Sequence, residues 1–263
     1  MIILEKISVE KIALAIGGQL IGNNTYIDFA TTDSREAKDG AMFIGIKGDR
    51  VDGNDFATDF LKNGGSCAVV EKNIEVPEDK CAILVEDTKK AIRDIAEFYR
   101  TTLDIDVVAV TGSVGKTSTK DMLYSVMSKG FSTFATKGNF NNEIGLPLTI
   151  LKIRDHHEIA VIEMGISHFG DMKPLGIIAN PDICVITNIG YCHLEHLKDR
   201  DGVLKEKTSM FDYAKENAEY ILNLDDDKLA TIKEVKGKTP VFISYADKNT
   251  YAYVDNTVDT GIE

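Results

Sequence analysis

The chain has 263 residues, 43% of them hydrophobic and 27% charged, and carries a formal net charge of −12. That length and ordinary globular composition suit one large domain or two smaller ones, with enough chain to bury a core. The acidic balance argues against a general nucleic-acid binder, which needs a basic face, yet leaves room for a nucleotide held by backbone N–H groups.

The N-terminus has no basic segment leading into an apolar stretch, and no apolar run approaches the roughly 20 residues of a membrane helix. A cytoplasmic protein without membrane insertion is expected. Cys67, Cys81, Cys184 and Cys192 form no CxxC pair and read as small hydrophobes in a reducing compartment.

In chain order, Ser8 to Ile16 reads as a short helix opened by a serine cap. Ala41 to Ile46 is a short apolar run with strand character. Asp55 to Asn63 reads as a helix stopped by Gly64-Gly65. Cys67 to Glu71 and Cys81 to Glu86 read as strands. Asp87 then caps a long helix with Ala91, Ile92, Ile95, Ala96 and Tyr99 on one face.

Near Ile105 the rhythm changes. Apolar strands at Ile105–Val110, Phe131–Ala135, Ile159–Glu163, Ile183–Thr187, Tyr220–Asn223 and Val241–Tyr245 alternate with helical segments. Such runs between helices predict a parallel sheet covered on both faces. The expected fold is α/β: a small α/β domain over residues 1–103, then a P-loop domain on a mostly parallel sheet over 104–263. Tyr251 to Glu263 reads as the start of a further pair of strands.

The strand ending at Val110 runs into Thr111-Gly112-Ser113-Val114-Gly115-Lys116-Thr117-Ser118, and a helix follows. Glycines let the backbone curl and present N–H groups to phosphate, lysine reaches the β/γ-phosphates, and the threonine hydroxyl suits Mg²⁺. The helix start adds its positive dipole end. The general spacing G-x-x-x-x-G-K-[ST] is not met, because position 110 is Val110 and the glycine comes at 112. The placement after a buried strand and before a helix makes Thr111 to Ser118 the expected ATP-binding loop. His156 and His157, adjacent in a charged loop, read as solvated surface.

The T-G-S-x-G-K-T-S-T-K run over Thr111 to Lys120 resembles the Mur ligases. Lys137 to Thr149, with Asn139, Asn141 and Asn142, is similar to the G-N-x-N-N-x-x-G-x-P-L-T stretch of one branch. Val161-Ile162-Glu163-Met164-Gly165, Ile186 to Glu195 and Leu222 to Asp226 match further segments. Asp33-Ser34-Arg35, Asp39 to Phe43, Lys47-Gly48 and Asp52-Gly53 resemble the pattern of the family's UDP-holding domain. The resemblance covers nearly the whole chain.

Ser113-Val114 in the loop and His193-Leu194-Glu195 favour the branch that joins D-alanyl-D-alanine to UDP-N-acetylmuramoyl-tripeptide in peptidoglycan synthesis. The resemblance implies that ATP phosphorylates the carboxylate of the UDP-linked peptide and that an amine then attacks the acyl phosphate. It implies catalytic roles for Lys116, Glu163, His193 and Lys207, with Thr117, Glu163 and His193 as metal ligands. Lys207 matches, loosely, a lysine that some members carry as a carbamate. It implies UDP-substrate contacts at Ser34, Arg35, Lys47, Asp52, Gly53, Asn139, Asn141 and Asn142. Asparagines also cap turns, so a loop-shaping role stays open for the last three.

Family chains continue with adenine-holding residues and a third domain. This chain is therefore expected to be a fragment, monomeric, with little or no ligase activity alone. The alternatives are a Mur ligase with another acceptor, a P-loop kinase or NTPase, and a UDP-peptide and ATP-binding fragment without turnover.

Overall fold

The computed structural model describes residues 3–48, 50–245 and 247–253. The elements run β1 (Ile3–Ser8), α1 (Val9–Ile16), β2 (Gln19–Gly22), β3 (Tyr26–Thr31), β4 (Ala41–Ile44), α2 (Ala57–Lys62), β5 (Cys67–Val70), β6 (Cys81–Leu84) and α3 (Thr88–Thr101). There follow β7 (Asp106–Thr111), α4 (Lys116–Met127), β8 (Thr133–Ala135), α5 (Gly145–Ile150), β9 (Ile159–Glu163), α6 (Met172–Ala179) and β10 (Ile183–Ile186). The last are α7 (Leu194–Leu197), α8 (Arg200–Thr208), β11 (Glu219–Asn223), β12 (Val241–Ser244) and β13 (Ala252–Tyr253). Residues 254–263, read from sequence as further strand, lie outside the described residues.

Two compact units result. One comprises Met1–Ile105 with Lys137–Glu158, the other Asp106–Thr136 with Ile159–Glu263. A single break after residue 103 would leave 137–158 in the second domain, whereas in the fold this segment packs with the first. Side-chain chemistry explains the difference. Every residue of α5 is buried, its run packs on α3, and the Tyr99 hydroxyl donates to the Ile153 carbonyl at 2.7 Å.

The first unit holds a six-stranded mixed sheet in the order β1-β3-β4-β5-β6-β2. Its inner pairs are parallel, and β1 and β2 add antiparallel edges. Strands β4 and β5 are buried along their whole length, so they read as continuous apolar runs. The sequence reading missed β1, β2 and β3. Strand β2 lies half-exposed at an edge, and β3 is too mixed in polarity to stand out.

Ser8 stands at the start of α1, but its side chain does not cap the helix. Its hydroxyl donates to Asn24 Oδ1, which also accepts the Glu10 N–H at 3.0 Å, so the cap comes from a later loop. Asp87 does cap α3, accepting from the Lys90 N–H at 3.0 Å. Beyond α2, the Gly65 N–H returns to the Phe60 carbonyl and ends the helix.

The second unit is a seven-stranded sheet, β13-β12-β11-β10-β7-β9-β8, and every pair is parallel. From β7 the chain first builds β8 and β9 on one side, then crosses to β10 and onward on the other. The order therefore reverses beside β7, and open parallel sheets bind ligands at the carboxyl ends of strands at such a reversal. Helix α4 covers this region, with Leu123 and Met127 packed on Val108, Val110, Val161 and Val185. Cys67, Cys81 and Cys184 are buried and all four cysteines are free. No helix among the described residues is long and apolar enough to cross a membrane.

The Tyr99 bond ties two distant stretches of the first unit. Tyr99→Phe is expected to lower stability by about 1 kcal/mol, the net value of a typical hydrogen bond. In urea unfolding the midpoint should fall with the slope unchanged.

Candidate active site

The loop between β7 and α4 is shaped by its neighbours as much as by its own sequence. Gly112 has φ +151, and a Cβ there would lie 1.9 Å from Thr187 Oγ1, so no side chain fits. Gly115, at φ +82, starts α4 without a side-chain cap. Asn188 grips the turn: its carbonyl accepts the Ser113 N–H, its Oδ1 accepts the Val114 N–H, and its Nδ2 donates to the Val114 carbonyl. Thr187 also donates to that carbonyl, and the Gly190 N–H donates to Ser113 Oγ at 2.8 Å.

These bonds decide which loop donors face a ligand. The N–H groups of Ser113 and Val114 are already engaged. The Val114 side chain is 69% exposed. Thr111 is fully buried and its hydroxyl donates to the Met164 carbonyl, so it supports the loop and does not line it. Helix geometry leaves the first N–H groups of α4 without an intrahelical partner. The donors open to phosphate are thus the N–H groups around Gly115, Lys116, Thr117 and Ser118, at the positive end of the helix.

Two ammonium groups converge on one oxygen. Lys116 Nζ lies 2.9 Å and Lys207 Nζ 3.0 Å from the Gly112 carbonyl oxygen. Lys207 is 1% exposed. Burial, with Lys116 adding to the effect, pushes its ammonium down to about 8, partly opposed by Cys192 and Glu206. His193, in the left-handed region at φ +51, begins α7. Burial, then the charges of Lys207 and Lys116, holds its imidazole below the usual range and favours the neutral, metal-ligating form.

Strand β9 comes two strands after β7 in the chain but pairs directly with it, Val110 opposite Glu163. Glu163 is 2% exposed, and Thr117 Oγ1 donates to its Oε2 at 2.9 Å. Two neighbouring ligands of an octahedral Mg²⁺, each about 2.1 Å from the ion, stand about 3.0 Å apart. The Thr117–Glu163 spacing fits that requirement. Among the described residues no cluster of three or more His, Cys, Asp or Glu is arranged around a metal position. Mg²⁺ needs no such cage, because phosphate oxygens and water complete its shell.

The fold thus brings Lys116, Thr117, Glu163, His193 and Lys207 together within the second unit. The sequence reading missed Thr187 and Asn188 as positioning residues, although they lie within a matched motif. It also missed Asp226, which accepts from the Ile189, Lys228 and Leu229 N–H groups and so anchors the following loop. His157 is half-buried, and its Nδ1 accepts the Arg154 N–H at 2.9 Å, so it shapes a turn and is not plain surface.

The other candidate residues lie in the first unit. Arg35 clasps Asp33 through Nε and Nη2, and this bonding holds the Asp33 carboxyl at about 2. Asp52 Oδ1 accepts from the Asn54 N–H and Nδ2, and the Gly53 N–H donates to the Ile46 carbonyl, so both shape the turn after Lys47. Asn142 Oδ1 accepts the Gly145 N–H at 2.8 Å and opens α5. The loop-shaping role is therefore present at Asn142. Ser34, Lys47 and Asn139 show no such side-chain tie among the described residues.

Comparison with known proteins agrees with this geometry. Residues 26–100 match the model described as Mur ligase family, catalytic domain, and residues 110–260 match Mur ligase middle domain. The chain belongs to the Mur ligase family. It is 37% identical, over 89% of its length, to the UDP-N-acetylmuramoyl-tripeptide--D-alanyl-D-alanine ligase of Bacillus subtilis, of which it covers 52%. The Escherichia coli enzyme of that name is 33% identical over 86% of the chain and is half covered. MurF from Acinetobacter baumannii superposes with a TM-score of 0.85 at 31% identity, covering 95% of this chain and 55% of that one. MurF ligase from Thermotoga maritima, solved with ADP, superposes with a TM-score of 0.75 at 35% identity over 82% of this chain and 50% of that one. The chain spans about half the length of the curated relatives it matches.

The lowered Lys207 predicts a pH effect. Between about 8 and the ordinary 10.5, the unfolded chain binds the proton and the folded chain does not. Stability from this group therefore rises with pH through that window and is lower below it. Relative to Lys207→Met, the native chain should gain up to about 3 kcal/mol between pH 7.5 and 10.5, at 1.36 kcal/mol per pKa unit. A flat difference in urea midpoints across that range would contradict it.

Proposed function

We propose that this chain forms the UDP-substrate and ATP-binding parts of a ligase joining D-alanyl-D-alanine to UDP-N-acetylmuramoyl-tripeptide. The observation that carries the reading is the loop itself: two lysines on the Gly112 carbonyl beside a Thr117–Glu163 pair spaced for a hard cation. The names of the similar proteins supply the substrate class.

The chemistry asks a carboxylate to approach a highly negative triphosphate. Its oxygen forms a bond to the γ-phosphorus as the bond to the β-phosphate oxygen breaks, and ADP leaves. The incoming amine then bonds to the acyl carbon, loses a proton, and phosphate leaves with the C–O electron pair. Both steps gather negative charge, so fixed positive charge in a water-poor site lowers their barriers. Lys116 holds the β/γ-phosphates, and the N–H groups at the start of α4 hold the adjoining oxygens. Thr117 and Glu163 would hold Mg²⁺, which when bound neutralises the phosphate charge. His193, whose neutral form burial favours, would take a second cation.

Lys207 lies too deep for a surface role. Its partly neutral amine can add to CO₂, forming an N–C bond and releasing a proton, to give a carbamate. With ¹³C-bicarbonate at pH 8, a carbamate carbon resonance absent from Lys207→Met is expected. A spectrum unchanged by that substitution would leave Lys207 as a plain ammonium on Gly112.

The reading is tested by calorimetric titration with UDP-N-acetylmuramoyl-tripeptide and with the dipeptide form. Tighter binding of the tripeptide is expected. Equal binding would point to another acceptor within the family, and binding of neither by the folded chain would remove the substrate assignment.

A further inference from the structure

The first unit contains two lysines whose placement the roles above do not explain. Lys152 follows α5 and is half-buried. Its Nζ stands 4.6 Å over the centre of the Phe140 ring. The backbone of Phe140 is fixed by two contacts, and its side chain is 42% exposed. Its carbonyl accepts from Thr149 Oγ1 at 2.9 Å, and Gly145 packs so tightly against it that a Cβ would lie 2.6 Å from Phe140 Cα. The loop of Asn139, Phe140, Asn141 and Asn142 is thereby a built platform for one ammonium group.

Two charges act on that group, those of Lys137 and of Glu36. Glu36 belongs to the Ser34–Glu36 turn, which carries part of the Asp33-Ser34-Arg35 motif. Among the described residues neither the Lys137 nor the Lys152 ammonium has a hydrogen bond or ion pair. Burial and the Lys137 charge disfavour the Lys152 ammonium and Glu36 favours it, in a chain of net charge −12. Arg35 is already committed to Asp33. An ammonium drawn partly out of water beside another ammonium is unfavourable unless an anion joins them.

We propose that Lys152, with Lys137 beside it, is the anion-binding point of the first unit and grips a phosphate or carboxylate of the nucleotide-linked substrate. This rests on the substrate reading above. Lys152 is the recognition residue, and the Phe140 ring sets its position. Phosphate and carboxylate offer the same chemistry to an ammonium, and the ligand series separates them.

Calorimetry would compare the native chain with Lys152→Gln, which keeps much of the stem, with Lys152→Arg, which keeps the charge, and with the exposed Lys137→Ala. The probes are UDP, UDP-N-acetylmuramic acid and UDP-N-acetylmuramoyl-tripeptide. Lys152→Gln should weaken binding about tenfold or more, as loss of a charged hydrogen bond does. Lys152→Arg should recover most of it, and Lys137→Ala should cost a few-fold. A loss already present with UDP assigns the pyrophosphate, and a loss that begins only with the longer ligands assigns a carboxylate. Native affinity of Lys152→Gln for all three ligands would overturn the proposal and leave the substrate reading intact. Failure of the native chain to bind any of them would remove both.

Discussion

The Gly112 carbonyl oxygen, shared by the ammonium groups of Lys116 and Lys207, is the point on which the second unit turns. Two like charges on one neutral acceptor repel, and the low-dielectric surroundings make that repulsion larger than it would be in water. Burial confines the Lys207 ammonium beside that carbonyl, whereas Lys116 is only half-buried. Lys207 comes from a buried face of α8, and Lys116 from the first turn of α4. The stored positive potential is what an anionic ligand would meet, and Glu163, one strand away, offsets part of it.

That arrangement needs a loop of fixed shape. Gly112 permits the close approach to Thr187, and Asn188 spends its carbonyl, amide oxygen and amide nitrogen on Ser113 and Val114. The strand order explains why these partners are available. Strand β10 pairs with β7 in register, Ile186 opposite Thr111, so the residues that leave β10 emerge beside the loop that leaves β7. A parallel sheet with a reversal of strand order thus places a clamp, a carboxylate and a loop together at the carboxyl ends of β10, β9 and β7.

The first unit solves a similar problem with different means. Its candidate contacts come from turns, several of which are occupied in holding their own shape, as Asp52, Gly53 and Asn142 are. The segment 137–158 joins it because α5 is apolar on all sides and needs cover.

Much was legible in the chain itself. The continuous apolar runs from Ile105 onward predict buried parallel strands because no other element hides both faces of such a run. Gly112, Gly115, Lys116 and Thr117 announce a phosphate loop because few other settings need curled backbone, ammonium and hydroxyl in that order. Local chemistry also fixed the Asp87 cap and the end of α2. What the chain could not show was pairing across distance. That Asn24 caps α1, that Glu163 lies 2.9 Å from Thr117, and that Lys207 reaches Gly112 follow from strand order and helix packing. Nor does local sequence show that residues 137–158 leave the second unit for the first, or that Thr111 turns inward. Those outcomes depend on burial and on which donors the fold has already used, and both are properties of the assembled chain.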